Sequence, residues 1–194
     1  MVDYDTLSGE TGKRSKRQAQ VTQATGADPQ QPETTPFCYA TIVVDKALES
    51  LLSSGAEARL KDEHPWLVAQ RDVHQAHRAG LNVPLLLAKQ GSDVHDCQFS
   101  HWAFIKSIEV LELSGKRYLT EVQLGQLTEV SPLFTSLDSV VVKPSDEQLL
   151  REEVESVRTQ RVALQEQYLR PYAICESPGF IPRLTAWLYP KLEV

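Results

Sequence analysis

An α+β fold built on a mixed, mainly antiparallel sheet follows from three observations in the sequence. Val83 to Leu124 carries three strand-like runs in succession: V-P-L-L-L-A, H-W-A-F-I-K-S-I-E-V-L-E-L and R-Y-L-T-E-V-Q-L. The last two are joined by Ser114-Gly115, a hairpin turn, which makes them antiparallel neighbours. Helical spacing of apolar residues precedes and follows this block, so helices flank the sheet.

The totals set the frame. A chain of 194 residues suffices for one domain with a tail, and 41% hydrophobic with 24% charged residues is globular composition. The net charge of −6 argues against a protein that coats nucleic acid by bulk charge, but a local basic face is compatible with it. The three cysteines, Cys38, Cys97 and Cys175, are odd in number and far apart, which fits a reducing compartment. No apolar run is long enough to span a bilayer, and M-V-D-Y-D-T lacks the order of a secretory signal. These features predict a cytoplasmic protein without a membrane partner.

Taken in order, residues 1–36 are rich in Gln, Thr, Ser and Pro and bear the basic cluster Lys13, Arg14, Lys16, Arg17. Such composition predicts a disordered tail, with a single domain over 37–194. Cys38 to Val44 is β-branched and apolar, a strand buried on both faces. Asp45 is a helix N-cap, with Leu48, Leu51 and Leu52 on one face and Gly55 as the stop. A short helical piece from Ala56 ends near His64, ahead of Pro65. Trp66 to Gln70 fits strand or helix equally. Asp72 then caps a short helix through His74, Ala76 and His77 to Gly80. Val83 to Ala88 is a strand with Pro84 near its start, and Lys89 to Phe99 is a polar loop.

From His101 to Leu113 regular alternation places Trp102, Phe104, Lys106, Ile108 and Val110 on one face. Tyr118, Thr120, Val122 and Leu124 alternate with polar residues in the partner strand. A short helical stretch follows near Ser131 to Leu137, then a short strand at Val140 to Val142. Ser145 and Gln148 form a capping box for a helix over 145–169, whose stripe is Leu150, Val154, Val157, Leu164 and Tyr168. Packing on its own domain is the expected use of that stripe, and a homodimer through 145–169 is the alternative. Tyr172 to Glu176 is a closing strand, Ser177-Pro178-Gly179 a turn, and the apolar tail with Phe180, Ile181, Leu184, Trp187 and Tyr189 docks.

Catalytic chemistry is sparse. Asp93, His95, Asp96, Cys97 and His101 form a suggestive cluster, but a zinc site needs four soft ligands at short fixed spacing. Only His95, Cys97 and His101 are on offer, and His74 and His77 would have to join by tertiary accident, so no metal is expected. Cys97 lacks the strand-turn-helix elbow of a nucleophile, and no phosphate-cradling glycine loop or G-x-S-x-G is present. Cys38 and Cys175 lie in apolar strands and read as core. No cofactor is expected. Trp66 and Trp102 stand out, because tryptophan is either core or the wall of a pocket that stacks a planar ligand. Lys106, among apolar neighbours, must reach an edge, a carboxylate or an anion.

The order Trp66, Arg71, Ala76, then G-L-N-V-P-L-L-L-A-K-Q-G-S, H-W-A-F-I-K-S-I-E-V and T-E-V-Q-L-G-Q-L-T-E-V resembles the EVE domains of the PUA-like β-barrel superfamily. S-L-D-S-V-V-V-K-P-S-D-E-Q is similar to the end of such domains, so the likeness covers roughly 66–148. It implies a mixed, mainly antiparallel barrel of about five or six strands, flanked by three to four helices. It also implies a non-catalytic module that binds a modified or flipped base, or a short RNA or single-stranded DNA. On that reading a base stacks on Trp102 or Trp66. Gln90, Ser92 and His101 meet its edge, and Arg71, Lys89 and Lys106 meet phosphate or carbonyl oxygens. Two alternatives stand beside it. One is a small hydrolase of a modified nucleoside, with Lys89 or Lys106 and Glu109 or Glu121 as acid and base. The other is an interaction or regulatory domain using the 145–169 helix.

Overall fold

The computed structural model describes residues 33–90, 97–155 and 160–183, all within the compact unit Gln31–Val194. The fold starts four residues before Phe37, because β1 (Glu33–Thr34) pairs in parallel with β4 (Leu81–Asn82). β2 (Phe37–Val43) carries the expected β-branched run and is buried almost throughout. α1 (Asp45–Ser53) begins at Asp45, but that side chain makes no cap hydrogen bond and Val44 is the N-cap residue. Leu48 and Leu51 are buried whereas Leu52 is exposed, so the apolar stripe is narrower than its leucines suggest. Gly55 stops the helix with a positive φ of 56°.

The segment expected to be helical up to His64 is instead a short 3-10 turn, Gly55–Glu57, followed by β3 (Arg59–Asp62). Leu60 alternates with charged Arg59, Lys61 and Asp62, and burial of this one side chain against β7 outweighs local helix preference. α2 (Leu67–Arg78) resolves the ambiguity at Trp66 to Gln70 in favour of a helix. Its N-cap is Trp66, which places Asp72 in the helix interior and not at a cap. β5 is Pro84–Lys89, β6 is Gln98–Leu113 and β7 is Arg117–Leu124. The β6–β7 hairpin forms as expected, turning through Ser114, Gly115 and Lys116, the last two at positive φ.

β8 (Thr128–Glu129) continues along β6 beyond β7, and two 3-10 turns follow at Pro132–Phe134 and Leu137–Ser139. The capping box is present: the Ser145 N–H donates to Gln148 Oε1 at 2.8 Å, and the Gln148 N–H to Ser145 Oγ at 3.2 Å. The helix it opens, α3, spans only Asp146–Glu155, so no single helix runs over 145–169. Residues 162–164 are extended: the Val142 N–H donates to the Val162 carbonyl and the Leu164 N–H to the Val140 carbonyl, and a 3-10 turn follows at Glu166–Tyr168. Leu164, read as part of a helical stripe, and Leu169, at the end of the expected helix, are buried in a separate core, and that burial decides the conformation. Arg161 clips the return by pairing with Glu152 and Glu176. The closing strand, β9, is Ala173–Glu176.

The main sheet has the order β3-β7-β6-β5-β2-β9, with β8 attached to β6, and only the β2–β5 pair within it is parallel. This is an α+β fold with a mixed, mostly antiparallel sheet, but the barrel does not close. β9 gives its outer edge to residues 141–143 instead of to β3. At the opposite end β3 carries Arg59, Lys61 and Asp62, charges typical of a strand that resists further pairing. α1 and α2 cover one face over a core of Trp66, Val73, Leu85, Leu87, Ile105 and Val122. Phe99, Val140, Leu164, Leu169 and Ile181 build a second core on the other face, and Phe180 stacks on Phe134 at 5.1 Å. The docked tail is thus seen as far as residue 183. Leu184, Trp187 and Tyr189 lie outside the described residues, as do residues 1–32 of the expected 1–36 tail, its basic cluster and Val157.

Candidate functional site

The faces of β6 decide which expected site residues meet. Ile105 pairs with Leu124, yet Ser107, and not Lys106, pairs with Gln123. Lys106 is therefore the extra residue of a β-bulge. Ile105 and Ile108 both enter the core beneath the helices, so Lys106 and Ser107 between them both turn to the other face. Regular alternation put Lys106 with Ile108 and Val110. The bulge separates them: Ile108 and Val110 join the helix-covered core, while Lys106 stays with Trp102 and Phe104.

Trp102 and Phe104 are half-buried at the margin of the second core and meet edge to face, with centroids 5.1 Å apart. Beyond them the same face runs across β7 and β3. Val122 and Leu60 point to the helix side, which sends Gln123, Glu121, Arg59 and Lys61 outward. Arg59 is the register partner of Gln123, itself opposite Ser107, whose Oγ lies 3.4 Å from Gln123 Oε1. Arg59 and Lys61 both pair with Glu121, and the Glu121 carboxylate holds the Arg59 guanidinium above its usual pKa. The result is a ridge of two rings followed by a row of cationic and amide side chains on one sheet face.

Other expected site residues lie elsewhere. Trp66 is fully buried beneath the helices, tilted against Tyr172 at 4.6 Å, and its indole N–H has no hydrogen-bond partner among the described residues. It shares no concavity with Trp102, because the sheet lies between their cores. Arg71 is exposed and paired with Asp72, whose carboxylate also accepts from the Tyr39 hydroxyl at 3.1 Å. Burial, followed by that nearby carboxylate, pushes the Tyr39 hydroxyl well above its ordinary pKa.

His101 is half-buried opposite Leu87, a residue of the helix-side core, so it faces away from Trp102. Burial lowers its pKa against the opposing pull of Glu129. Lys89 pairs with Asp45 at 3.4 Å and, like Leu87, belongs to the helix side, away from the outward Glu109 and Glu121. Gln90 accepts from Arg170 at 3.4 Å, and Ser92 lies outside the described residues, as do Asp93, His95 and Asp96. Cys97 is buried and its thiol is pushed up to about 11, chiefly by desolvation, which is the opposite of nucleophile activation. Among the described residues no three His, Cys, Asp or Glu side chains are grouped to hold a metal.

Arg59, Lys61, Phe104, Ser107 and Gln123 are the members of the ridge that the sequence alone did not single out. The signal for the first two was the alternation R-L-K-D, masked by reading that segment as helix. No protein family, no curated protein and no solved structure matches the chain. No helix among the described residues is long and apolar enough to cross a membrane.

Proposed function

We propose that this domain is a non-catalytic nucleic-acid-binding module of PUA-like character. Its ligand is a short RNA or single-stranded DNA, or one carrying a modified base, held on the outer sheet face. The observation that carries the reading is the β6 face that bears Trp102, Phe104 and Lys106, which the bulge parts from the core-facing Ile108 and Val110. Half-buried rings offer a stacking surface to any base, and cations on the same strand and two strands away suit the phosphates that follow. Gln123 and Ser107 supply donors and acceptors for a base edge or sugar hydroxyl. Glu109 and Glu121 oppose each other across β6 and β7 on this face and keep its field modest, so affinity depends on stacking as well as charge.

Fluorescence anisotropy with labelled single-stranded RNA and DNA oligonucleotides, with and without modified bases, tests the reading. Affinity should fall as salt rises from about 50 to 200 mM. Trp102→Ala should weaken binding by roughly tenfold or more, since stacking contributes about 1–3 kcal/mol per base, without loss of the folded circular-dichroism spectrum. Lys106→Ala should lower the salt slope by about 0.7, the value for one phosphate on a single strand. No binding to any such oligonucleotide at low salt sinks the proposal.

A further inference from the structure

Three cysteines far apart in the sequence come together in one apolar cluster: Cys38, Cys97 and Cys175 all belong to the second core. Two of them are more closely related than shared burial requires. Cys38 on β2 is the register partner of Cys175 on β9, directly across an antiparallel ladder. The Ser177 N–H donates to the Pro36 carbonyl at 2.9 Å, two residues out along each strand. Because pair types alternate with a period of two, Cys38 and Cys175 also form a hydrogen-bonded pair, whose Cα atoms lie about 5.5 Å apart. That separation is close to the mode for disulfides, about 5.5–6 Å. Cys38 Sγ donates to the carbonyl of Glu176, the residue next to Cys175 on β9, at 3.6 Å. Cys97 shares the cluster but is no register partner of either.

The geometry points to Cys38 and Cys175 as a site of covalent modification: an intrachain disulfide that forms by exchange with a low-molecular-weight disulfide and ties β9 to β2. In the first step one cysteine, as thiolate, attacks the reagent disulfide, forming a mixed disulfide and releasing one reagent thiol. The other cysteine then attacks the protein sulfur of that mixed disulfide. The Cys38–Cys175 bond forms and the second reagent thiol leaves. The protein pair gives up two protons and two electrons, and the reagent disulfide is reduced to two thiols.

Both cysteines are fully buried, which sets the kinetics. Burial also holds the Cys38 thiol protonated, far from the thiolate that exchange requires. Exchange therefore waits for β9, a four-residue strand, to lift from β2, or takes place during folding before the strand docks. Once formed, the bond holds β9 and with it the hydrogen bonds that the 141–143 segment makes to β9.

The test uses the full chain refolded or gently opened in dilute urea with oxidised glutathione. It is followed by alkylation under denaturing conditions, intact mass and peptide mapping. The expected result is a fall from three alkylated cysteines to one, a mapped Cys38–Cys175 peptide and a Tm higher by roughly 5–15 °C than that of the reduced chain. Oxidation of the native protein should speed up with urea below the unfolding midpoint. Cys97→Ala should still lose both remaining thiols, and Cys38→Ala should lose neither to an intrachain bond. Three alkylated cysteines after oxidative refolding, or a mapped bond that includes Cys97, overturns the inference. Mapping is done on the unsubstituted chain, so the outcome does not depend on how well either variant folds.

Discussion

Deletion of Lys106 separates two accounts of β6 that make opposite predictions. In the bulged strand, Lys106 is an extra residue between Ile105, opposite Leu124, and Ser107, opposite Gln123. Its removal leaves Ile105 inward, Ser107 outward and Ile108 inward, with every downstream pair in its present register. The loss is then the local bend and twist that the bulge supplies, about 1–2 kcal/mol. In a regular strand the same deletion would move every later side chain to the other face. Ile108, buried at 6% exposure, and the half-buried Val110 would turn to solvent at about 1.5–3 kcal/mol each. Glu109 would turn into the core at a cost of several kcal/mol more, at least about 6 kcal/mol in all. Urea unfolding followed by far-UV circular dichroism measures the difference, with thermal unfolding as a second reading. The bulged strand predicts a cooperative transition with a Tm lowered by about 2–8 °C. A deletion variant without a cooperative transition, or with a Tm lowered by more than about 15 °C, refutes the face assignment and with it the surface on which the functional proposal stands.

Thr120 joins the start of α2 to β7: its hydroxyl donates to the His64 carbonyl at 2.6 Å and accepts from the Trp66 N–H at 3.3 Å. Thr120→Val keeps the shape and strands a buried N–H, so it should cost about 2 kcal/mol in urea unfolding while Thr120→Ser costs less than half as much. Equal losses in the two variants would show that packing alone matters there. His77 and His101 have folded pKa values below the ordinary histidine value, in each case chiefly through burial. Above the unfolded pKa, near 6.5, both are neutral in either state. As pH falls through that value the unfolded chain takes up protons first, so stability drops until the folded pKa is reached. The Tm should fall between about pH 7.5 and 5.5, and His77→Gln with His101→Gln should flatten that fall.

Much of the architecture is legible in the residues themselves because it depends on local interactions. The Ser145–Gln148 box, the Gly55 stop, the β-branched run before Val44 and the Ser114-Gly115 turn each involve neighbours a few positions apart. Their preferences agree with the fold, so reading them needs no knowledge of distant partners. The α+β class follows from the same periodicities.

What required the tertiary structure is everything decided by a partner far along the chain. Arg59–Asp62 is a strand because Leu60 is buried against Val122, and 160–169 leaves the helical pattern because Leu164 and Leu169 complete the second core. The sheet stays open because β9 pairs with residues 141–143. Trp66 and Trp102 look alike in the sequence, each a core residue or a pocket wall, yet one closes the core under the helices and the other edges an exposed face. A side-chain pattern records how often apolar residues recur, but not where a strand takes in one extra residue. At Lys106 that single residue changes which face the later residues of β6 take, and only the pairing with Gln123 and Leu124 reveals it.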